Sequence, residues 1–379
     1  MKPVVANPEG GAGSAPCRPG KAQGKAQAGA ALLMAMLTVT LVATLASAAL
    51  WQQFRSIEVE TAERGRLQSG LILTGALDWA RLILREDARS GGADHLAEPW
   101  AVPLEEARLS SFLAVDGVVA DGERDAFLSG GITDMQGRLN VANLVDGATK
   151  SAAGVASFQR LFELLDLPPQ ALATLTDHYV EANKKAALAA QLADSATAAT
   201  TATTATTATA AVAPPAAASP PSSTGSQSAA DFLLPQRLEQ LTWLGLDASL
   251  VAALEAHVTV LPTRTPVNLN TASALVIAAS TPGLDIAGAQ KLVAARSRKH
   301  FTSLADAGQA LGNPAVSFAD GTHSVASRFF EVRGQLRLDQ LAVFERSLVQ
   351  RDGLNVRTLW RARGSASLPA EGGAAEPRR

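Results

Sequence analysis

The chain has 379 residues, enough for two domains beyond a membrane anchor, and a net charge of −2, which gives no bulk electrostatic drive toward nucleic acid. Its one cysteine, Cys17, lies near the start of the chain. Removal of a leader would take that thiol with it, so disulfides and cysteine–metal sites are excluded from the remainder.

Residues 1–28 carry Lys2, Arg18, Lys21 and Lys25 against Glu9, and the positive-inside rule retains such an end in the cytoplasm. No charge follows Lys25 until Arg55, a gap of 29 residues. An apolar span of that length crosses a bilayer as a helix. Gly29 stands at its edge, followed by Ala30-Ala31-Leu32-Leu33-Met34. A basic leader that ends on glycine at an apolar boundary suggests a peptide cut on the cytoplasmic side of its apolar segment, which then stays attached as a tether. The competing reading is a secretory signal cut after Ala46-Ser47-Ala48. Against it, the apolar run ahead of that site, about 17 residues, is long for such a signal. Everything after Arg55 is expected outside the cytoplasm, in the periplasm if the cell is Gram-negative.

From Ala30 to about Ala88 there is no proline. Ile72, Ala76, Trp79 and Ile83 form one row, and Leu73, Leu77, Ala80 and Leu84 the next. Thr74, Asp78, Arg81 and Arg85 lie beside them. This is an amphipathic helix of period 3.6. Gly65, Gly70 and Gly75 weaken it locally, and Ser90-Gly91-Gly92 is expected to end it.

Residues 94–150 read as short strands and turns. The candidate strands are Val115 to Val119 and Gly130 to Val141, with a turn at Met135-Gln136-Gly137-Arg138. Asn143 reads as a helix N-cap or a turn residue. Residues 155–192 are helical in pattern: Phe158, Leu161, Phe162 and Leu165 share a face, Pro168-Pro169 restarts the chain, and Leu172, Leu175 and Tyr179 follow. Ser195 to Ser219 contains only Ala, Thr, Val, Pro and Ser, so 194–230 is expected to be a disordered linker.

Leu238 to His257 suggests two short helices, and Asn270 to Gly312 a further helical unit. Phe330, Val332, Leu336 and Leu338 alternate with Glu331, Arg333, Gln335 and Arg337, a half-buried strand. Asp352-Gly353 between two alternating runs, Ala342–Gln350 and Leu354–Arg361, marks a hairpin. The tail after Gly364 is expected to be disordered. A helical block between strands of one sheet reads as an insertion into an α/β domain.

Taken together, these residues resemble the type II secretion minor pseudopilin K family. The resemblance rests on Gly29-Ala30-Ala31-Leu32-Leu33, Asp78-Trp79-Ala80, Asp94-His95-Leu96 and Glu98-Pro99-Trp100. It continues through Gly131 to Val141, with its Asp134-Met135-Gln136-Gly137-Arg138 turn, and through Pro266-Val267-Asn268-Leu269-Asn270-Thr271-Ala272 to the strands from Phe330 to Trp360. It implies an α/β, pilin-like fold, a long N-terminal helix plus an antiparallel sheet, interrupted by a large α-helical insertion with helix-hairpin-helix-like units. The expected organisation is a leader at 1–29, a transmembrane helix at 30–54 and its periplasmic continuation at 55–90. The pilin-like domain then occupies 91–154 and 320–364, the insertion 155–319, and a disordered tail 365–379.

The resemblance further implies cleavage by prepilin peptidase between Gly29 and Ala30 and methylation of the new amine on Ala30. A side chain at the glycine would obstruct entry into the protease cleft. The fifth mature residue, usually glutamate in pilin-like proteins, is Met34. A carboxylate in lipid is costly unless paired, and a first subunit has no preceding amine to pair with. The implied role is to initiate and cap the pseudopilus tip in the inner membrane, with minor pseudopilins I and J as partners and further pseudopilins behind them. Some relatives bind calcium, so the resemblance leaves calcium possible here, and members of the family usually carry an Asp-rich segment after the first helices of the insertion. Here the corresponding region, Ala186–Ser228, is almost without carboxylates, so no calcium ligands are assigned.

One rival reading is a membrane-anchored DNA-binding protein of a competence system. Val267 to Lys291 resembles a helix-hairpin-helix unit, and Lys291, Arg296, Arg298, Lys299 and His300 form a basic stretch. Asp285 replaces the second hairpin glycine, however, and a carboxylate there repels phosphate. A type IV pilus minor pilin is the other rival. The histidines at 95, 178, 257, 300 and 323 show no zinc spacing, and Asp121, Glu123 and Asp125 read as a solvated loop. With no catalytic constellation, the chain is expected not to be an enzyme.

Overall fold

The computed structural model describes residues 24–108, 126–203, 233–338 and 341–367. The chain divides into two units at Gln68–Ser69. Helix α1, Gly24–Ser90, runs through Gly65, Gly70 and Gly75 and ends where Gly91 and Gly92 take positive φ of 65° and 118°. The helix begins ahead of Ala30, because the Ala/Gln-rich residues before Gly29 contain no helix breaker beyond glycine.

The second unit holds a five-stranded antiparallel sheet. Its strands are β1 (Leu104–Arg108), β2 (Ala126–Asp134), β9 (Phe329–Leu338), β10 (Leu341–Asp352) and β11 (Asn355–Ser367), in the order β1-β2-β9-β10-β11. Strand β2 pairs with β9 across the whole segment from Met135 to Arg328, so that segment is inserted into the sheet's connectivity. Leu73, Leu77, Ala80 and Leu84 of α1 are buried, and pack against Phe330, Val332, Leu336, Val343, Val349 and Val356. Each such leucine contributes about 1.5–3 kcal/mol by leaving water. The adjacent row is only half-buried, with Trp79 exposed.

The opposite sheet face is not solvated as the alternation implied. Glu331 is fully covered, paired with Arg333 and with Arg346, which also reaches Glu239 of the insertion at 2.8 Å. Met135, Leu261, Phe329 and Leu348 form a small apolar contact there.

The inserted segment contains α2 (Ala152–Leu164), α3 (Pro169–Thr203), α4 (Ala248–Leu254), α5 (Ala274–Ser280), α6 (Ile286–Arg298) and α7 (Leu304–Leu311). Short pairs join β3 (Leu139–Asn140) to β6 (Val258–Thr259), β4 (Val145–Asp146) to β5 (Thr149–Lys150), and β7 (Val267–Asn268) to β8 (His323–Ser324). Its core takes in Leu139, Val141, Leu144 and Val145, ahead of the boundary at 155 that helical periodicity marks. Short strands and 3-10 turns carry no such period.

Two local expectations change. Helix α3 extends to Thr203, inside the stretch expected as linker from 194, because alanine favours helix and the first proline pair comes only at Pro214. Residues 204–232 lie outside the described residues, as does the expected strand at Val115–Val119. Strand β11 continues past Gly364 to Ser367, since Ser365, Ala366 and Ser367 pair with Val343, Ala342 and Leu341 through backbone groups. Of the two readings of Asn143, the turn is the one that holds: it lies in a 3-10 turn, and Ser151 caps α2. The Asp352-Gly353 hairpin forms as expected, with Gly353 at φ 57°.

Candidate functional site

In the first unit, α1 exposes Leu32, Leu33, Met34, Leu37, Leu41 and Leu45, and an 18-residue window has a mean hydropathy of 2.1. Its hydroxyls are satisfied within the helix. Thr38 and Thr40 donate to the carbonyls of Ala35 and Leu37 at 2.9 Å, and Thr44 and Ser47 to those of Leu41 and Ala43 at 2.8 Å. A helix in lipid needs such internal satisfaction. This helix is long and apolar enough to cross a membrane once.

Gly29 and Ala30 are helical, and Met34 is exposed one turn further on. A Cβ on Gly29 would meet nothing within 4 Å. The fold of this chain therefore does not itself demand glycine there.

The second unit gathers the quoted sequence motifs at one place. Asp134 accepts from Asn268 Nδ2 at 3.0 Å, Thr271 Oγ1 at 2.6 Å, Ser327 Oγ at 2.6 Å and the Gln136 amide at 2.8 Å. Burial raises its pKa, and the donors offset part of that rise. Asn268 also donates to the Asp94 carbonyl at 3.2 Å, tying the insertion to the segment that follows α1. Gln136 bridges in the same way, donating to the Pro266 carbonyl at 3.3 Å and accepting from the Arg328 amide at 2.7 Å. Asn140 donates to the Thr263 carbonyl at 2.7 Å, Asn143 to that of Thr265 at 2.8 Å, and Asn270 to that of Phe301 at 2.9 Å. Gly137 is tightly packed: a Cβ would come within 3.0 Å of the Thr271 hydroxyl and 3.2 Å of its carbonyl carbon.

Beside this junction, Asp87, Asp94 and Glu98 bring carboxylate oxygens within 4.8 Å of one another. Arg351 lies among them, 2.5 Å from Asp87, paired with Asp94, and 2.9 Å from the Ser327 carbonyl. The second Asp94 oxygen accepts the Ser327 amide at 2.6 Å. Glu98 accepts from the His95 amide at 2.9 Å and Trp100 Nε1 at 2.7 Å. Burial raises the pKa of both Asp94 and Glu98. Calcium takes six to eight oxygen ligands. Here both Asp94 oxygens are engaged and a guanidinium already supplies the positive charge, so the cluster does not fit the ion.

Sequence reading missed Arg351, Asp87 and the covered Glu331 and Glu345. Glu345 holds Arg361 at 3.2 Å and Arg363 at 2.5 Å. The available signal was a carboxylate in each of two strands that otherwise alternate with large apolar residues.

The helix-hairpin-helix resemblance is borne out in shape by α5, the Gly283 turn and α6, but the phosphate-binding elements are occupied. Asp285 accepts the Gly288 amide at 2.8 Å, capping α6. Lys291 donates to the Leu311 carbonyl at 2.6 Å, and Arg296 to that of Leu269.

Comparison with known proteins agrees with this architecture. Two family models, both described as type II secretion system (T2SS), protein K, match residues 137–263 and 267–326. The type II secretion system protein K of Pseudomonas aeruginosa is 27% identical over 297 residues, spanning 76% of this chain and 79% of that protein. The crystal structure of the GspK–GspI–GspJ complex from the enterotoxigenic Escherichia coli type 2 secretion system contains a chain of the same fold. It has a TM-score of 0.53 and 16% identity, covering 80% of this chain and 99% of that one. The junction residues Asp134, Gln136 and Asn140 are therefore parts of a pilin-like scaffold carrying a helical insertion, and the chain belongs to the type II secretion system protein K family of minor pseudopilins.

Proposed function

We propose that this pseudopilin initiates and caps the tip of the periplasmic pseudopilus, with a mechanical rather than an enzymatic role. The observation that carries the reading is where the insertion attaches. Asn268 bonds to Asp94, and the His300 ring stacks on that of His95 with centroids 3.8 Å apart, both contacts lying just past the end of α1. A further subunit stacking on that end would meet the insertion, so growth stops there. Met34 supports the first place in the filament, since an apolar residue needs no amine from a preceding subunit.

Prepilin peptidase would cut between Gly29 and Ala30, with methylation of Ala30. The basic leader would remain cytoplasmic and the second unit would lie in the periplasm. The related crystal structure is of a complex with GspI and GspJ, which supports minor pseudopilins I and J as partners here. Calcium and nucleic acid are given no role.

The test is to express the chain with and without prepilin peptidase and sequence the mature N-terminus. A peptidase-dependent start at Ala30 is expected. A start at Ala49 would identify a secretory signal and overturn the reading.

A further inference from the structure

A cleft of about 480 Å³ opens between the insertion and the β10–β11 hairpin, walled by Val260, Leu261, Leu348 and Leu359. A bulge in β11 leaves Leu359 without a partner on β10, between Trp360, opposite Leu348, and Thr358, opposite Val349. The extra residue brings two consecutive large side chains, Leu359 and Trp360, to the cleft, where strict alternation would bring one.

Two hydrogen-bond donors of this lining have no acceptor among the described residues. Trp360 Nε1 is buried and unpaired. Tyr179 is 4% exposed, and its hydroxyl makes no hydrogen bond. Burial pushes the Tyr179 pKa up to about 12, so the hydroxyl keeps its proton and stays a donor at neutral pH.

Three carbonyls of the same lining are already in use. Asn183 Nδ2 donates to that of Gly147 at 2.8 Å, and Asn140 Nδ2 to that of Thr263 at 2.7 Å. The Ala142 carbonyl takes the Val145 amide. Arg264 is the one charged side chain described in the lining, and it is paired with Asp146 at 2.8 Å. The cleft therefore offers donors and apolar walls, with no unbalanced charge.

Such a lining selects a ligand that brings acceptors and neither donors nor charge. Proline carries a backbone carbonyl and no N–H, so an extended run of prolines supplies acceptors without burying an unpaired donor. Its carbonyls are not bonded internally, its rings suit an aromatic groove, and little backbone entropy is lost on docking. Trp360, Tyr179, Pro235 and Pro262 provide the ring-bearing walls. We propose that the Trp360–Tyr179 cleft is a docking site for an uncharged, proline-rich extended segment of a partner protein.

The experiment uses the full chain in detergent with ¹⁵N-labelled tryptophan, the Trp360 indole signal being assigned from W360F. An acetylated, amidated octaproline peptide is titrated in, with a Gly/Ser octamer carrying the same end groups as control. Octaproline should shift the Trp360 signal saturably and leave the other indole signals in place. One net hydrogen bond is worth a factor of about five in affinity, so Y179F and W360F, measured by calorimetry, should each bind octaproline about fivefold more weakly or worse. Y179F loses only an unbonded hydroxyl, so its fold is retained and a loss there reads the cleft itself. A Trp360 signal unmoved by millimolar octaproline overturns the proposal. So does equal binding by Y179F and the native chain, or equal binding of the Gly/Ser octamer, which would show a cleft that does not select proline.

Discussion

Arg351, near the end of β10, donates to Asp94, the carboxylate that follows α1, and its guanidinium also lies 4.9 Å over the Phe330 ring. Arg351, Asp94 and Asp87 are each about nine-tenths buried or more. Removing one partner of a buried pair leaves the other charge uncompensated, at a cost of about 3–5 kcal/mol. R351A is therefore expected to lower stability by that amount in thermal or urea unfolding of the second unit, with R351M recovering packing but not the charge. A loss under about 1 kcal/mol would show that water reaches Asp94 freely.

The insertion is fastened to the sheet by Asn268, whose amide reaches Asp134, Ser327 and the Asp94 carbonyl at once. N268A should leave Asp134 short of a donor and cost about 1–3 kcal/mol. N268D should cost more, since it sets a second carboxylate against Asp134. G137A should also destabilise, by about 1 kcal/mol, because the Thr271 backbone must give by a few tenths of an ångström to admit the methyl group. Limited proteolysis between the sheet and the insertion, read alongside unfolding, separates loosening of the junction from global loss of fold.

Much of this junction was legible in the sequence. Asp134-Met135-Gln136-Gly137-Arg138 and Asn268-Leu269-Asn270-Thr271 are polar residues where strands alone would need none, and both bond across the boundary between sheet and insertion. The amphipathic row Leu73, Leu77, Ala80 and Leu84 and the Asp352-Gly353 hairpin were legible because period and turn chemistry are local. Glu331 was not. Alternation gives which residues share a face, but not that the second face is covered by a segment closing over it from Met135 to Arg328. Arg351 escaped for a related reason: Asp87 and Asp94 precede it by more than 250 positions, and no short-range pattern links them.

His323 is buried, with Nε2 3.0 Å from the Thr281 hydroxyl and Nδ1 2.9 Å from that of Thr322. Burial lowers its pKa to about 4, against about 6.5 when unfolded. Between those values the unfolded chain binds the proton and the folded chain does not. Stability is therefore fully present above pH 6.5 and falls as pH drops toward 4, by about 3 kcal/mol from this group. Urea unfolding at pH 7, 5.5 and 4.5 should show H323Q less acid-sensitive than the native chain, although less stable at pH 7. Parallel pH profiles for the two would remove His323 as the source.

Met34 lies on the exposed apolar face of α1, and the tip-initiating role proposed above depends on its lacking a charge. In the proposed first position of the filament, M34E would place a carboxylate in lipid with no preceding subunit to supply an amine. Such a group costs about 2.5–3.5 kcal/mol on insertion scales, a factor of roughly 70–400 in an equilibrium. Membrane insertion and the proposed cleavage after Gly29 should survive, because both would depend on the leader and the apolar run as a whole. Initiation should suffer: fewer pseudopili per cell and less secreted protein, with M34L indistinguishable from the native chain. Counting pseudopili in cells that overproduce the major pseudopilin reads initiation directly. If M34E cells build as many filaments as native cells, an uncharged fifth residue is not what fits this chain for the first position, and the weight of that role shifts to the insertion at the far end of α1.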